Sequence, residues 1–200
     1  MVTEQNKSSE FQYPVHDLIR QRRSRRSYSS QPIEEVKIKS LFEAARWAPS
    51  SMNEQPWAYI YATNDQASLW EKIFDTLSEG NKIWAKDAPL LIVSLARKNF
   101  IRNDHPNYNA RYDMGAANAL LSVQATSFGL NVHQMGGFEG EALMTNLNVP
   151  ADYEPGVILA VGYPGDASQL PENLQLRENA PRYRWVQDEF VMNAPFNKRA

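Results

Sequence analysis

A chain of 200 residues, 42% hydrophobic and 22% charged, is long enough to bury one sizeable core, and its formal net charge of −2 gives no overall pull toward nucleic acid or an anionic membrane. It has no cysteine, which excludes disulfides, zinc–thiolate sites, iron–sulfur clusters and thiol nucleophiles. Its three histidines, His16, His105 and His133, lie far apart without metal-ligand spacing, so no bound metal is expected.

The opening MVTEQNKSSE is polar and lacks the apolar stretch of a secretory signal. Residues 1–12 are therefore expected as a flexible arm, residues 13–200 as a single cytoplasmic domain. A short helix is expected from Pro14, with Val15, Leu18 and Ile19 on one face, running into the cationic segment RQRRSRRSY (20–28). Pro32 opens the next expected helix, capped by Ser30 or Gln31. There Ile38, Leu41, Phe42, Ala45 and Ala48 repeat at helical spacing, and Pro49 ends it. After the polar loop PSSMNEQP (49–56), WAYIYAT (57–63) reads as a strand. A third helix carries Leu69, Trp70, Ile73, Phe74 and Leu77 on one face and is expected to break at Gly80-Asn81.

Pro89 leads a second strand, LLIVSLA, inside an apolar run (88–96) far short of the roughly 20 residues that span a membrane. A long polar loop (97–109) precedes a helix over 111–128 with Ala117, Leu120, Leu121 and Phe128 on its apolar face and Gly129 as its cap. Then come the extended run NVHQMGGF (131–138), a small helix (142–147), the strand VILAVGY (157–163) and a polar tail. Helices and strands interleave, which sets the class as α/β or α+β.

Three segments carry chemistry. Arg20, Arg22, Arg23, Arg25 and Arg26 fall within seven residues. Alone, such a run is a solvated basic surface; with Ser24 beside it, the forked guanidinium donors also suit a phosphate. A nucleic-acid reading has only this one patch in its favour. The loop 49–57 concentrates Ser50, Ser51, Asn53 and Gln55. It is either a helix stop or a set of amide and hydroxyl groups able to read the edge of a heterocycle. Gly136-Gly137 is either a turn or a place where backbone closely approaches a flat ligand.

In their order and wording these segments resemble the nitroreductase family of flavin oxidoreductases, from about Val15 to about Val191. The match is carried by RRSRRSY (22–28), LFEAARWAPSSMNEQPW (41–57), N-x-x-W-x-x-D-A-P (81–89), MGGF (135–138) and R-x-R (182–184). The resemblance implies an α+β fold with a central, mostly antiparallel mixed sheet flanked by helices. It also implies a homodimer that exchanges C-terminal segments, here roughly residues 180–200 with Trp185, Phe190, Val191 and Phe196. FMN is the implied cofactor and NAD(P)H the transient electron donor.

By the same resemblance, Arg22 and Ser24 bind the FMN phosphate and Arg23 contributes partly through its backbone. Arg26 faces the pyrimidine side of the flavin, where a cation favours the reduced ring. Pro49, Ser50, Ser51, Asn53 and Gln55 line the flavin of the partner subunit. Asn81 bonds the ring edge; Met135, Gly136 and Gly137 form the segment facing flavin N5; Arg184, with Arg182, forms a second phosphate clamp. Arg25 stands outside the motif and is expected to tolerate alanine.

Trp84 replaces a lysine found in many relatives, others place an acidic residue where Gly136 stands, and the family's large helical insertion that covers the flavin is absent or reduced, its place taken by residues 97–112. No side chain is expected to act as catalyst, since the flavin carries the chemistry from NAD(P)H to a small electron-poor acceptor such as a nitroaromatic or quinone. A related flavin enzyme of dehalogenase or flavin-fragmenting type, or a flavin-binding protein without activity, are the alternatives. No G-x-G-x-x-G occurs, which argues against a classical dinucleotide dehydrogenase.

Overall fold

The computed structural model describes residues 7–196; residues 1–6 of the expected arm and 197–200 of the expected exchanged tail lie outside them. In chain order the elements are β1 (Lys7–Ser8), α1 (Asp17–Gln21), α2 (Glu35–Arg46), β2 (Trp57–Thr63), α3 (Ala67–Phe74), α4 (Glu79–Ala85), β3 (Leu90–Arg97), α5 (Ala110–Ser127), β4 (Asn131–Met135), α6 (Gly140–Asn146), β5 (Tyr153–Gly162), α7 (Glu172–Asn179) and β6 (Arg184–Trp185). The main sheet has the order β2-β3-β5-β4, and all three pairings are antiparallel.

Alternation along the two central strands divides the core. Leu91, Val93 and Leu95 of β3 and Ile158 and Ala160 of β5 face one cluster, with Ile73 of α3, Trp84 of α4 and Leu143 of α6. Leu90, Ile92, Leu159 and Val161 face the other, with Ile38, Leu41 and Ala45 of α2 and Ala117, Leu121 and Ala125 of α5. A period of two in a strand buried on both faces yields this three-layer α+β arrangement.

Several elements depart from the expected reading, and four of them show why. Helix α2 starts at Glu35 rather than beside Pro32, because the Glu34 carboxylate is tied to Lys37 Nζ at 2.9 Å and Tyr163 OH at 2.7 Å. The break in the third helix comes before Gly80: Ser78 donates its N–H to the Gly137 carbonyl at 3.0 Å and starts α4, which contains Gly80 and Asn81. Strand β5 starts at Tyr153, through Pro155 and Gly156. A register shift between Val93 and Leu95 accommodates them, and Ser94 bonds both Val157 N–H and Val157 C=O. Helix α7 has no apolar periodicity to announce it; its buried residues are Leu174 and Glu178.

Candidate functional site

The cationic segment 22–28 is extended, and a carboxylate from α7 holds it. Glu178, only 2% exposed, accepts the Arg26 N–H on both oxygens at 3.0 and 3.1 Å, and the Glu178 carbonyl accepts Arg25 Nη1 at 3.1 Å. A buried carboxylate needs such donors to offset its lost hydration. The far end of the segment runs beside 163–165: Ser29 N–H donates to Tyr163 O at 3.0 Å, Gly165 N–H to Ser27 O at 3.1 Å, and Ser27 Oγ to Gly165 O at 3.0 Å. The backbone is thereby fixed while the guanidinium groups fan out.

The tail brings two more cations to the same place. Arg182 donates to the carbonyls of Arg22, at 2.5 Å, and of Arg20, and Arg23 Nη2 donates to Ala180 O at 2.7 Å. Arg22 Nη1 reaches Ser24 Oγ at 3.3 Å. Burial and the neighbouring Arg184 lower the Arg22 pKa; burial and then Arg23, Arg22, Arg184 and Arg25 lower that of Arg182. Among the described residues the one ion pair of this cluster joins Arg25 to Glu178 at 4.0 Å, which leaves a positive field that suits a multiply charged anion.

Behind this cluster lies a buried aromatic seat. His133 Nδ1–H donates to the Arg25 carbonyl at 3.0 Å, its ring lies 4.5 Å from that of Trp84, and the Arg26 guanidinium sits 5.9 Å over Trp84. Burial lowers the His133 pKa from 6.5 to about 4, so the ring is neutral at pH 7. Its proton linkage has a definite sign. Above pH 6.5 folded and unfolded His133 are both neutral; as pH falls from 6.5 to about 4 the unfolded chain takes up the proton and the folded one resists it, so stability is lost across that window. Each pH unit of separation is worth about 1.4 kcal/mol, giving a loss on the order of 3 kcal/mol. His133→Gln is expected to lose less stability between pH 7 and pH 5 than the parent in thermal melts; equal losses would show that His133 is not the group responsible.

One turn before Trp84, Asn81 donates Nδ2–H to the Gly137 carbonyl at 2.9 Å. Thr76–Ser78 and Gly137–Glu139 are laced together by Ser78 N–H to Gly137 O and Glu139 N–H to Thr76 O, at 3.0 and 2.8 Å. A Cβ on Gly137 would come within 2.9 Å of Ser78 Oγ and 3.0 Å of Asn81 Nδ2, whereas one on Gly136 would meet nothing within 4 Å. Both glycines are exposed, while the Met135 side chain is buried in the core and leaves only its backbone for a ligand.

The loop 49–56 is held separately. Asp113 of α5, itself buried, accepts Ser51 N–H at 3.0 Å; Ser50 Oγ accepts Gln55 N–H at 3.0 Å; and Glu54 Oε1 accepts Ile101 N–H at 2.5 Å. Met52, Asn53 and Gln55 have φ of 57°, 56° and 51°, a left-handed conformation that costs each of these residues energy unless its surroundings hold it. Its side-chain bonds run within the loop and to residues 101 and 113, none to the arginine cluster. Within one chain, then, the phosphate-type cluster and the Asn81–Gly137 corner adjoin one seat, and the loop stands apart.

A family model of the nitroreductase family matches residues 19–83 and 72–163, most of the chain. The chain belongs to the nitroreductase family. Among curated nitroreductase-family relatives, a Rhodopseudomonas palustris protein with the provisional name NADH dehydrogenase/NAD(P)H nitroreductase is 22% identical over 81% of this chain and 91% of its own length. One from Methanothermobacter thermautotrophicus with the same provisional name is 26% identical over 76% and 78%. Among solved structures, a crystal structure of an oxidoreductase containing FMN is 30% identical, with a TM-score of 0.90 and 95% and 96% of the two chains covered. A nitroreductase-family structure from Clostridium difficile has a TM-score of 0.70 at 24% identity, covering 90% of this chain and 98% of its own.

Family membership makes the chain an oxidoreductase of flavoprotein type. Of the residues that the motifs single out, Arg22, Arg23, Ser24, Arg182 and Arg184 come together, with Arg26 on the inner side above Trp84. Asn81, Gly136 and Gly137 form the adjacent corner, while Pro49, Ser50, Ser51, Asn53 and Gln55 occupy the separate loop. Arg25, which the motif leaves unassigned, donates from Nη1 to the Glu178 carbonyl, and its own carbonyl accepts from His133 Nδ1–H. Glu178, Asp113, Ser78 and His133 escape a motif reading because each acts on a segment distant in sequence. Among the described residues no group of three or more His, Asp or Glu side chains could hold a metal, and no helix is long and apolar enough to cross a membrane.

Proposed function

We propose that the protein is an FMN-dependent NAD(P)H oxidoreductase of the cytoplasm, working as a homodimer on small electron-poor acceptors such as nitroaromatics or quinones. The observation that carries the cofactor is the cluster of Arg22, Arg182 and Arg184, with Ser24 bonded to Arg22; burial, and after it their mutual repulsion, lowers the Arg22 and Arg182 pKa values, and a dianionic group would relieve both. A terminal phosphate answers that demand, which favours FMN over riboflavin or FAD. Gly137 fits a ring edge, since a side chain there would fill the space against Ser78 and Asn81. Bound FMN would supply reversible two-electron chemistry between NAD(P)H and the acceptor.

The chain's own residues do the rest. Arg22, Ser24 and Arg184 bind the phosphate; Arg23 and Arg182 shape that clamp; Arg26 presents a cation to the pyrimidine side; Asn81, with the backbone of Met135–Gly137, lines the ring edge. Pro49, Ser50, Ser51, Asn53 and Gln55 stand apart from these in one chain and would complete the site of a partner. Trp47, Met52, Ile101 and Tyr108, the last 92% exposed, leave apolar surface on and near that loop, as a subunit interface requires.

The test is direct. The purified protein should be yellow, release FMN on denaturation, and bleach on anaerobic addition of NADPH or NADH. Arg22→Ala should weaken FMN by about one to two decades, the worth of a charge-assisted hydrogen bond of about 1.5–3 kcal/mol. A colourless protein that takes up no FMN would rule the reading out.

A further inference from the structure

The N-terminal arm makes ordered contacts at the phosphate end of the site that neither its sequence nor the family motifs assign. Its β1 strand pairs with β6 in antiparallel register, Lys7 with Trp185 and Ser8 with Arg184. Lys7 Nζ lies 4.5 Å over the Trp185 ring, Gln12 Oε1 accepts the Gln187 N–H at 2.9 Å, and the Arg20 guanidinium lies 4.9 Å over Phe11. Between arm and tail is a cleft of about 390 Å³ lined by Phe11, Tyr13, Trp185 and Phe190, with Arg22, Arg182 and Arg184 on its wall.

Arg184 needs this support more than its neighbours do. Arg182 and Arg23 cross-link tail and body through backbone carbonyls. Among the described residues the Arg184 guanidinium bonds only the carbonyl of its own neighbour, Tyr183, at 2.8 Å, so the direction of its backbone decides where its charge points. That backbone is half of a two-residue ladder whose other half is Ser8.

We propose that residues 7–12 are a latch that holds Arg184 in position for the phosphate of the flavin. This rests on the FMN reading above and adds a positioning segment to it. A latch acting through Arg184 affects only ligands that carry the phosphate. Its loss raises the dissociation constant for FMN and leaves that for riboflavin unchanged, whereas a general loosening of the fold weakens both.

The experiment uses the full chain with Lys7→Pro and Ser8→Pro together. Adjacent strand residues alternate in which N–H points at the partner, so the double change removes the ladder donor whichever of the two supplies it. Four proteins are compared: parent, the proline pair, Arg184→Ala, and all three changes. FMN and riboflavin titrations should show the proline pair and Arg184→Ala each raising the FMN dissociation constant about tenfold, with no further rise when they are combined and no change for riboflavin. Independent, multiplying losses, or equal losses for both flavins, would overturn the latch.

Tryptic cleavage after Arg184 supplies a readout that needs no flavin. It should be faster in the proline pair than in the parent, and an equal rate overturns the proposal. If the parent itself takes up no FMN, the functional reading falls, and with it the phosphate role of the latch. The trypsin comparison still reports whether the arm holds the tail.

Discussion

Gly165→Ala is expected to lower stability by about 3 kcal/mol, the upper end for forcing an extra methyl into packed structure, and to strip the protein of flavin at the same time. The added Cβ would come within 2.8 Å of the Tyr28 nitrogen and closer still to its carbonyl carbon and oxygen. These are backbone atoms of the segment that carries the arginines, and they cannot rotate away. That segment is fixed to 163–165 by Ser29 N–H to Tyr163 O and by the two bonds between Ser27 and Gly165, so it must lift as a unit. The Tyr28 hydroxyl, buried and bonded to Arg25 O at 3.2 Å and Ala160 O at 3.0 Å, would be pulled from both acceptors. For a domain of this size the melting temperature should fall by about 6–12 °C. An unchanged melting temperature and full flavin content would show that the strands part without cost.

Much of this frame is legible in the residues themselves. Strand β2 appears at its predicted limits, and β3 and α5 within a residue of theirs, because an alternating or continuous apolar run and a long helical repeat leave few alternatives. Gly129 has φ 71°, the left-handed conformation a helix-capping glycine supplies. What escapes a local reading depends on contacts across the sheet. The apolar run that marks this strand begins only at Val157, yet Pro155 and Gly156 also lie in β5, where Gly156 clears the Met114 side chain and Ser94 secures the bulge opposite. Gly80 reads as a breaker, yet it sits in the first turn of α4, whose start is set by Gly137, nearly sixty residues away. Helix α7 is invisible because half of its buried face is Glu178, a residue type read as exposed unless its donors are known.

The candidate site divides in the same way. Residues that would touch a ligand carry recognisable chemistry, arginine forks, a serine hydroxyl, glycines without side chains, and their motifs name them. Residues that aim them do not. Asp113 and Glu178 act on backbone N–H groups, which any residue type offers, so nothing in the receiving segment advertises the need for a carboxylate.

Trp84→Ala should be the most damaging single truncation near the site, at about 3–5 kcal/mol and a fall of about 6–20 °C in melting temperature. Trp84 is 2% exposed and among the largest fully buried side chains. Its ring stacks on Tyr28 at 6.3 Å, meets His133 at 4.5 Å and lies beneath the Arg26 guanidinium at 5.9 Å. Emptying that volume removes apolar burial, leaves a cavity under the arginine segment and takes away the face on which Arg26 rests, so stability and the aim of Arg26 fail together. Trp84→Phe separates the two effects. It keeps an aromatic face for Arg26 while giving up part of the volume, so flavin affinity should survive better than stability. Alanine should reduce both, and the loss of flavin should exceed what partial unfolding at the assay temperature explains. If melting shows a loss below about 1 kcal/mol, or if alanine and phenylalanine bind flavin equally well, Trp84 is filler and Arg26 takes its position from the Glu178 carboxylate on its backbone N–H.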